Sequence, residues 1–102
     1  MPEYVLLLVE SPWDPASTTE QDFADTEASH RGFAVLVEEK GCRIVGGDAF
    51  DPRESRPVGA EPVSPWVTGY YRIECPDSEA ALELARQCPT GGHVVVETVM
   101  QL

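Results

Sequence analysis

Basic residues are scarce in this chain. Seven Lys and Arg stand against eighteen Asp and Glu, a formal charge of −11 over 102 residues. Proteins neutralise phosphates with Lys and Arg, so this balance argues against direct nucleic-acid binding and leaves solubility, or a cationic partner surface, as its use. Long apolar runs are missing too. The longest, Tyr4 to Val9, is far short of the ~20 residues of a membrane-spanning helix, and the acidic Glu3 precedes it where a signal peptide carries basic residues. A cytoplasmic protein with no membrane partner is expected. The three cysteines, Cys42, Cys75 and Cys88, are odd in number, widely spaced and free of any C-x-x-C pair. They fit neither a disulfide framework nor a zinc knuckle and predict inert thiols. His93 has no Cys, His or paired acids at ligand spacing beside it, so no metal site is expected. P-loop, dinucleotide-fold and G-x-S-x-G motifs are absent, and no cofactor is expected.

What remains is an ordinary folded composition, 42% hydrophobic and 25% charged, in a chain long enough for one core and one domain spanning 1–102. "YVLLLVE" (Tyr4–Glu10) is rich in β-formers and is ended by "SPWDP", which predicts a buried strand. Ser17 with Glu20 and Thr18 with Gln21 have the spacing of a capping box and predict a helix start. Phe23, His30, Phe33 and Val37, with Ala34 beside them, follow the period of one helical face, and Gly41 supplies a left-handed stop. "CRIVGGDAF" (Cys42–Phe50) reads as a strand that ends or bulges at Gly46 and Gly47. Residues Asp51 to Pro65 hold four prolines and no period, which predicts a loop with room for a hairpin around "RPVGAEPV". The grammar then repeats: "VTGYYRIE" as a strand, "SEAALELARQ" as a helix capped by Asp77 or Ser78 and stopped by Pro89, and "HVVVETVM" as a strand.

Two such βαβ units specify an α+β, ferredoxin-like split βαβ sandwich: a four-stranded antiparallel sheet with both helices on one face. In the last strand Val94 and Val96 alternate with His93, Val95 and Val99, so both sheet faces carry apolar side chains. A second copy of the chain is the simplest cover for the face without helices, and a homodimer is expected.

Within this frame His30 is a titratable ring on the helix face that should be dry. Asp48, after the paired glycines, reads either as an acid near the end of the sheet or as a solvated turn residue. Tyr70 and Tyr71 point to opposite faces, so one can offer a hydroxyl to a cleft and the other an aromatic surface to a partner; core packing is the plainer use of each. Trp13 and Trp66 sit in Pro-flanked loops, placed to close over a pocket or to anchor the loop.

The segments "YVLLLVE", "HRGFAVLVEEKG", "CRIVGGDAF", "GYYRIECPDSEAALELA" and "VVVETVM" together resemble the YCII-related family, in particular its branch named for the tetrapeptide "DGPF". The likeness runs over nearly the whole chain. Its most specific parts are the tyrosine strand leading into an acid-capped helix and the histidine eleven residues before the helix-ending glycine, here His30 and Gly41. The chain departs from the branch in the middle, where "VSPW" (Val63–Trp66) stands in place of "DGPF" and runs almost directly into "VTGYY".

The resemblance implies a dimeric α+β barrel with a His–acid pair at an active site. Carried onto this chain, the pair is His30 and Glu10, the acid that ends the first strand. A carboxylate beside the ring would raise its pKa and orient it as a general base. The expected protein binds a small organic molecule between the first helix and the sheet, with Asp48, Tyr70, Tyr71 and Trp66 around it, and catalyses a proton transfer such as an elimination or isomerisation. The competing expectation is a non-catalytic interaction or regulatory module, for which the resemblance offers a connection with sigma-factor transcription.

Overall fold

Capping side chains, one left-handed glycine and alternating β-formers set the element boundaries. The computed structural model describes residues 1–11, 13–56, 58–59 and 66–102. Over these the order is β1 (Glu3–Glu10), α1 (Glu20–Glu39), β2 (Arg43–Ala49), a 3-10 helix (Pro52–Glu54), β3 (Trp66–Glu74), α2 (Ser78–Gln87) and β4 (His93–Thr98). The hairpin expected around "RPVGAEPV", and "VSPW" up to Pro65, lie largely outside the described residues. The short helix at Pro52 was not expected; Asp51 caps it and Pro52 occupies its first turn, where a missing N–H costs nothing.

The capping box of α1 is one residue later than the spacing predicts. Thr19 Oγ1 accepts from the Asp22 amide at 3.0 Å, and Asp22 Oδ2 accepts from the Thr19 amide at 2.9 Å. Thr18 instead donates its hydroxyl to the Asp14 carbonyl, tightening the turn before the helix. At the other end Gly41 has φ +75°, the left-handed conformation expected of it. For α2, Asp77 is the cap, accepting from the Ala80 amide at 2.9 Å.

The strands form one antiparallel sheet in the order β2-β3-β1-β4. Tyr4, Leu6 and Leu8 of β1 alternate into the core, where they meet Ile73, Phe33 and Val37 of α1, and Ala81 and Leu84 of α2. Both helices join one cluster, so both cover the same sheet face. The result is α+β and compatible with a ferredoxin-like fold. Leu6, Val37, Ile73 and Leu84 are fully buried, each stabilising the fold by about 1.5–3 kcal/mol relative to exposure. The three thiols are buried and unpaired, and loss of solvation pushes Cys75 and Cys88 up to about 12, so both stay protonated.

Among the described residues no helix covers the opposite face, and the molecule measures only 18 Å along its shortest axis. Val5, Leu7 and Val9 lie half-buried there beside Val95. Ion pairs flank them, Glu3 with Arg72 at 2.8 Å and Arg43 with Glu74 at 3.1 Å.

Two glycines test the packing in opposite directions. A Cβ on Gly92 would lie 2.2 Å from the Val9 carbonyl oxygen and 3.0 Å from Glu10 Cα, whereas one on Gly32, inside α1, would meet nothing within 4 Å. Gly92→Ala should destabilise by about 1–3 kcal/mol through overpacking against backbone. Gly32→Ala should stabilise by roughly 0.5–1 kcal/mol through helix propensity. Urea denaturation of the two variants checks both signs.

Candidate functional site

Helix α1 has twenty residues and a length of about 30 Å, and its first half extends beyond the core. Phe33 and Val37 enter the core, while every residue from Glu20 to Ser29 is exposed. Phe23, expected on the inward face, is 50% exposed and meets Trp13 edge-on, with ring centroids 5.3 Å apart. The overhang leaves a cleft of about 330 Å³ between α1, the end of β1 and the turn before β4. That volume falls within the range of small-molecule pockets. Glu10 and His30 both line it, together with Trp13, Asp22, Phe23 and a set of hydroxyls that includes Ser11, Thr18, Thr26 and Ser29.

Glu10 lines the cleft from the end of β1. Pairing between β1 and β3 slips at this point, Leu8 opposing Gly69 and Val9 opposing Val67, so Thr68 is an extra, bulged residue. Bulges re-aim side chains. Thr68 donates its hydroxyl to Glu10 Oε1 at 2.6 Å, while Thr90 Oγ1 and the Gly91 amide donate to Oε2 at 3.0 and 2.5 Å. Partial burial raises the Glu10 pKa, but these three donors outweigh it and, with a smaller pull from His30, hold it below the usual glutamate value. The carboxylate is ionised and fixed.

His30 is fixed by a different group. Its Nδ1 lies 2.5 Å from the Tyr71 hydroxyl, and Phe33 closes over the same tyrosine at a centroid distance of 5.1 Å. No hydrogen bond or ion pair joins His30 to Glu10, so the orienting contact expected from the acid belongs to Tyr71. The expected rise in the His30 pKa is also reversed. Burial among α1, Phe33 and Tyr71 lowers it, and the Glu10 charge only partly offsets that loss of solvation. Tyr71 is raised by burial and remains a phenol. Near neutral pH the cleft therefore holds a neutral imidazole and a carboxylate. If Tyr71 Oη accepts from Nδ1–H, Nε2 carries a lone pair; if the phenol donates instead, Nε2 carries the proton.

The other expected pocket residues are placed elsewhere. Tyr70 donates its hydroxyl to Asp48 at 2.8 Å, and both sit on the helix-free face, since Tyr70 pairs with Leu7 of β1 and Asp48 pairs with Tyr70. Tyr71 is on the helix face, so the two tyrosines do point to opposite sides. Trp66 opens β3 and lines a separate, smaller cavity of about 120 Å³ with Phe50, Pro52 and Ser55. Trp13 is the tryptophan at the His30 cleft. Thr68, Thr90 and Gly91 were not singled out from the sequence; the double glycine after Thr90 was the available signal, since it marks a close backbone approach. Among the described residues, no group of three or more His, Cys, Asp or Glu converges on a point where a metal could sit. No helix of the described residues is long and apolar enough to cross a membrane.

The two depressed pKa values have a common sign. Each group is less readily protonated in the folded chain, so each contributes stability at higher pH that is lost on acidification. The His30 contribution should decline first, as pH falls below its ordinary value of 6.5, and that of Glu10 below 4.5. NMR titration should place the His30 midpoint below 6.5, and Glu10→Gln, which removes the one charge that raises it, should lower it further. A midpoint that rises in this variant would contradict the arrangement.

The chain matches no protein-family model and no curated protein, so what the cleft can do is read from its geometry.

Proposed function

We propose that the protein binds a small organic molecule in the cleft between α1 and the sheet and transfers a proton with His30, in an elimination or isomerisation. The observation that carries this reading is a half-buried histidine lining a ligand-sized cleft, with Nδ1 held by Tyr71. With Tyr71 accepting from Nδ1–H, Nε2 is the ring nitrogen left to take a proton from the ligand. Burial keeps the ring neutral beforehand, which is the state a base requires. Once protonated, the imidazolium is favoured by the ionised Glu10 lining the same cleft. Tyr71 positions the base, and Trp13 with Phe23 supplies apolar wall.

The likeness to the YCII-related family supports the same reading, and membership in it is part of the proposal. So is a homodimer formed through the helix-free sheet face, where Val5, Leu7, Val9 and Val95 would be removed from water.

A library screen by thermal shift provides the test. Compounds that raise the melting temperature should lose their effect in Trp13→Ala, and any turnover found among them should fall ~10²–10⁴-fold in His30→Gln. Tyr71→Phe should lower kcat more than it raises KM. Hits indifferent to both Trp13 and His30 would refute the cleft reading. Light scattering should give twice the chain mass, and Leu7→Glu, on the helix-free face, should give the single-chain mass.

A further inference from the structure

We infer that the cleft selects cationic ligands: a protonated amine attached to an aromatic or otherwise apolar body. This rests on the cleft being a ligand site, and it concerns the charge of what enters. Among the described residues lining it, the charged groups are Glu10 and Asp22, and neither Lys nor Arg is present. Glu10 accepts from two hydroxyls and an amide, all neutral donors, so its negative charge has no cation beside it. The Asp22 carboxylate likewise accepts from a neutral donor, the Thr19 backbone amide. His30 is kept neutral by burial and does not balance them. The guanidinium of Arg53 lies over the Trp13 ring at 5.4 Å from its centroid and is already met by Asp51 at 2.9 and 3.0 Å.

A carboxylate or phosphate ester entering this space would bring a third negative charge and no counter-charge. An ammonium would supply the missing one, donating to Glu10 while its body packs on Trp13 and Phe23. The ring face of Trp13 takes cations well, as its contact with Arg53 illustrates. The chain's net charge of −11 adds a long-range bias in the same direction.

Three probes of one shape separate charge from fit: benzylamine, benzyl alcohol and benzoate, titrated into the 15N-labelled protein at neutral pH. The indole N–H of Trp13 reports the cleft, and that of Trp66, at the other cavity, is the control. Benzylamine should shift Trp13 saturably with a Kd ~tenfold or more below that of benzyl alcohol, benzoate should not saturate, and added salt should narrow the difference. Asp22→Asn, which keeps the cap acceptor, and Glu10→Gln should each reduce the preference for the amine. Equal affinity for amine and alcohol, or a preference for benzoate, would overturn the charge selectivity while leaving the cleft as a ligand site. Absence of any Trp13 response to all three would overturn the ligand site itself, and the selectivity with it.

Discussion

The rest of the site depends on one carboxylate. Glu10 ends β1, one of the two inner strands, and its two oxygens tie β1 to the bulged Thr68 of β3 and to Thr90 and Gly91 before β4. The close approach is possible because of two glycines: a Cβ on Gly91 would sit 3.2 Å from Glu10 Oε2, and one on Gly92 would overlap the Val9 carbonyl. A half-buried charge is tolerated only where donors replace its lost water, and here they come from two neighbouring strand ends at once. The same bonds that tie the strand ends together therefore fix an anion in the lining of the cleft.

A second constraint is where the core stops. On α1 the last inward anchor toward the N-terminus is Phe33, with His30 just beyond it. The preceding turns are held by the Thr19–Asp22 capping box and the Trp13–Phe23 edge contact. Segments with few buried contacts open at low free-energy cost, and ligand sites draw on such segments. His30 lies at the boundary between the rigid part of α1 and the overhang.

Most of the fold was legible in the sequence because it is written in local patterns. The run of β-formers in "YVLLLVE", the acid caps, Gly41 and the breaks at proline place the four described strands and both helices within a residue or two. The exceptions are instructive. Thr19 rather than Ser17 or Thr18 caps α1, because three hydroxyl residues in a row offer equivalent spacing and only the path from Asp14 chooses among them. Phe23 keeps helical phase with His30 but stays half exposed against Trp13, and phase alone does not reveal where the core ends. At the site, Glu10 and His30 were found as candidates, and the structure brings both to one cleft. Their relation was not legible. Tyr71 reaches His30 across forty-one positions, and Thr68 faces Glu10 because of a bulge, neither of which leaves a mark in local spacing.

That difference in wiring changes the chemistry. Had Glu10 bonded His30 directly, the pair would favour an imidazolium beside a carboxylate, and the ring would enter the cleft already protonated. Separation reverses this. Glu10 is satisfied by neutral donors and stays charged, whereas His30 is satisfied by a phenol in a half-buried setting and stays neutral. Each group is driven toward its less protonated form by a different cause, hydrogen bonding for the acid and burial for the ring. The cleft thus carries a neutral imidazole and a stationary negative charge at the same pH. Under the proposed function this arrangement would favour positive charge twice, as a cation arriving with the ligand and as the imidazolium formed when His30 accepts a proton.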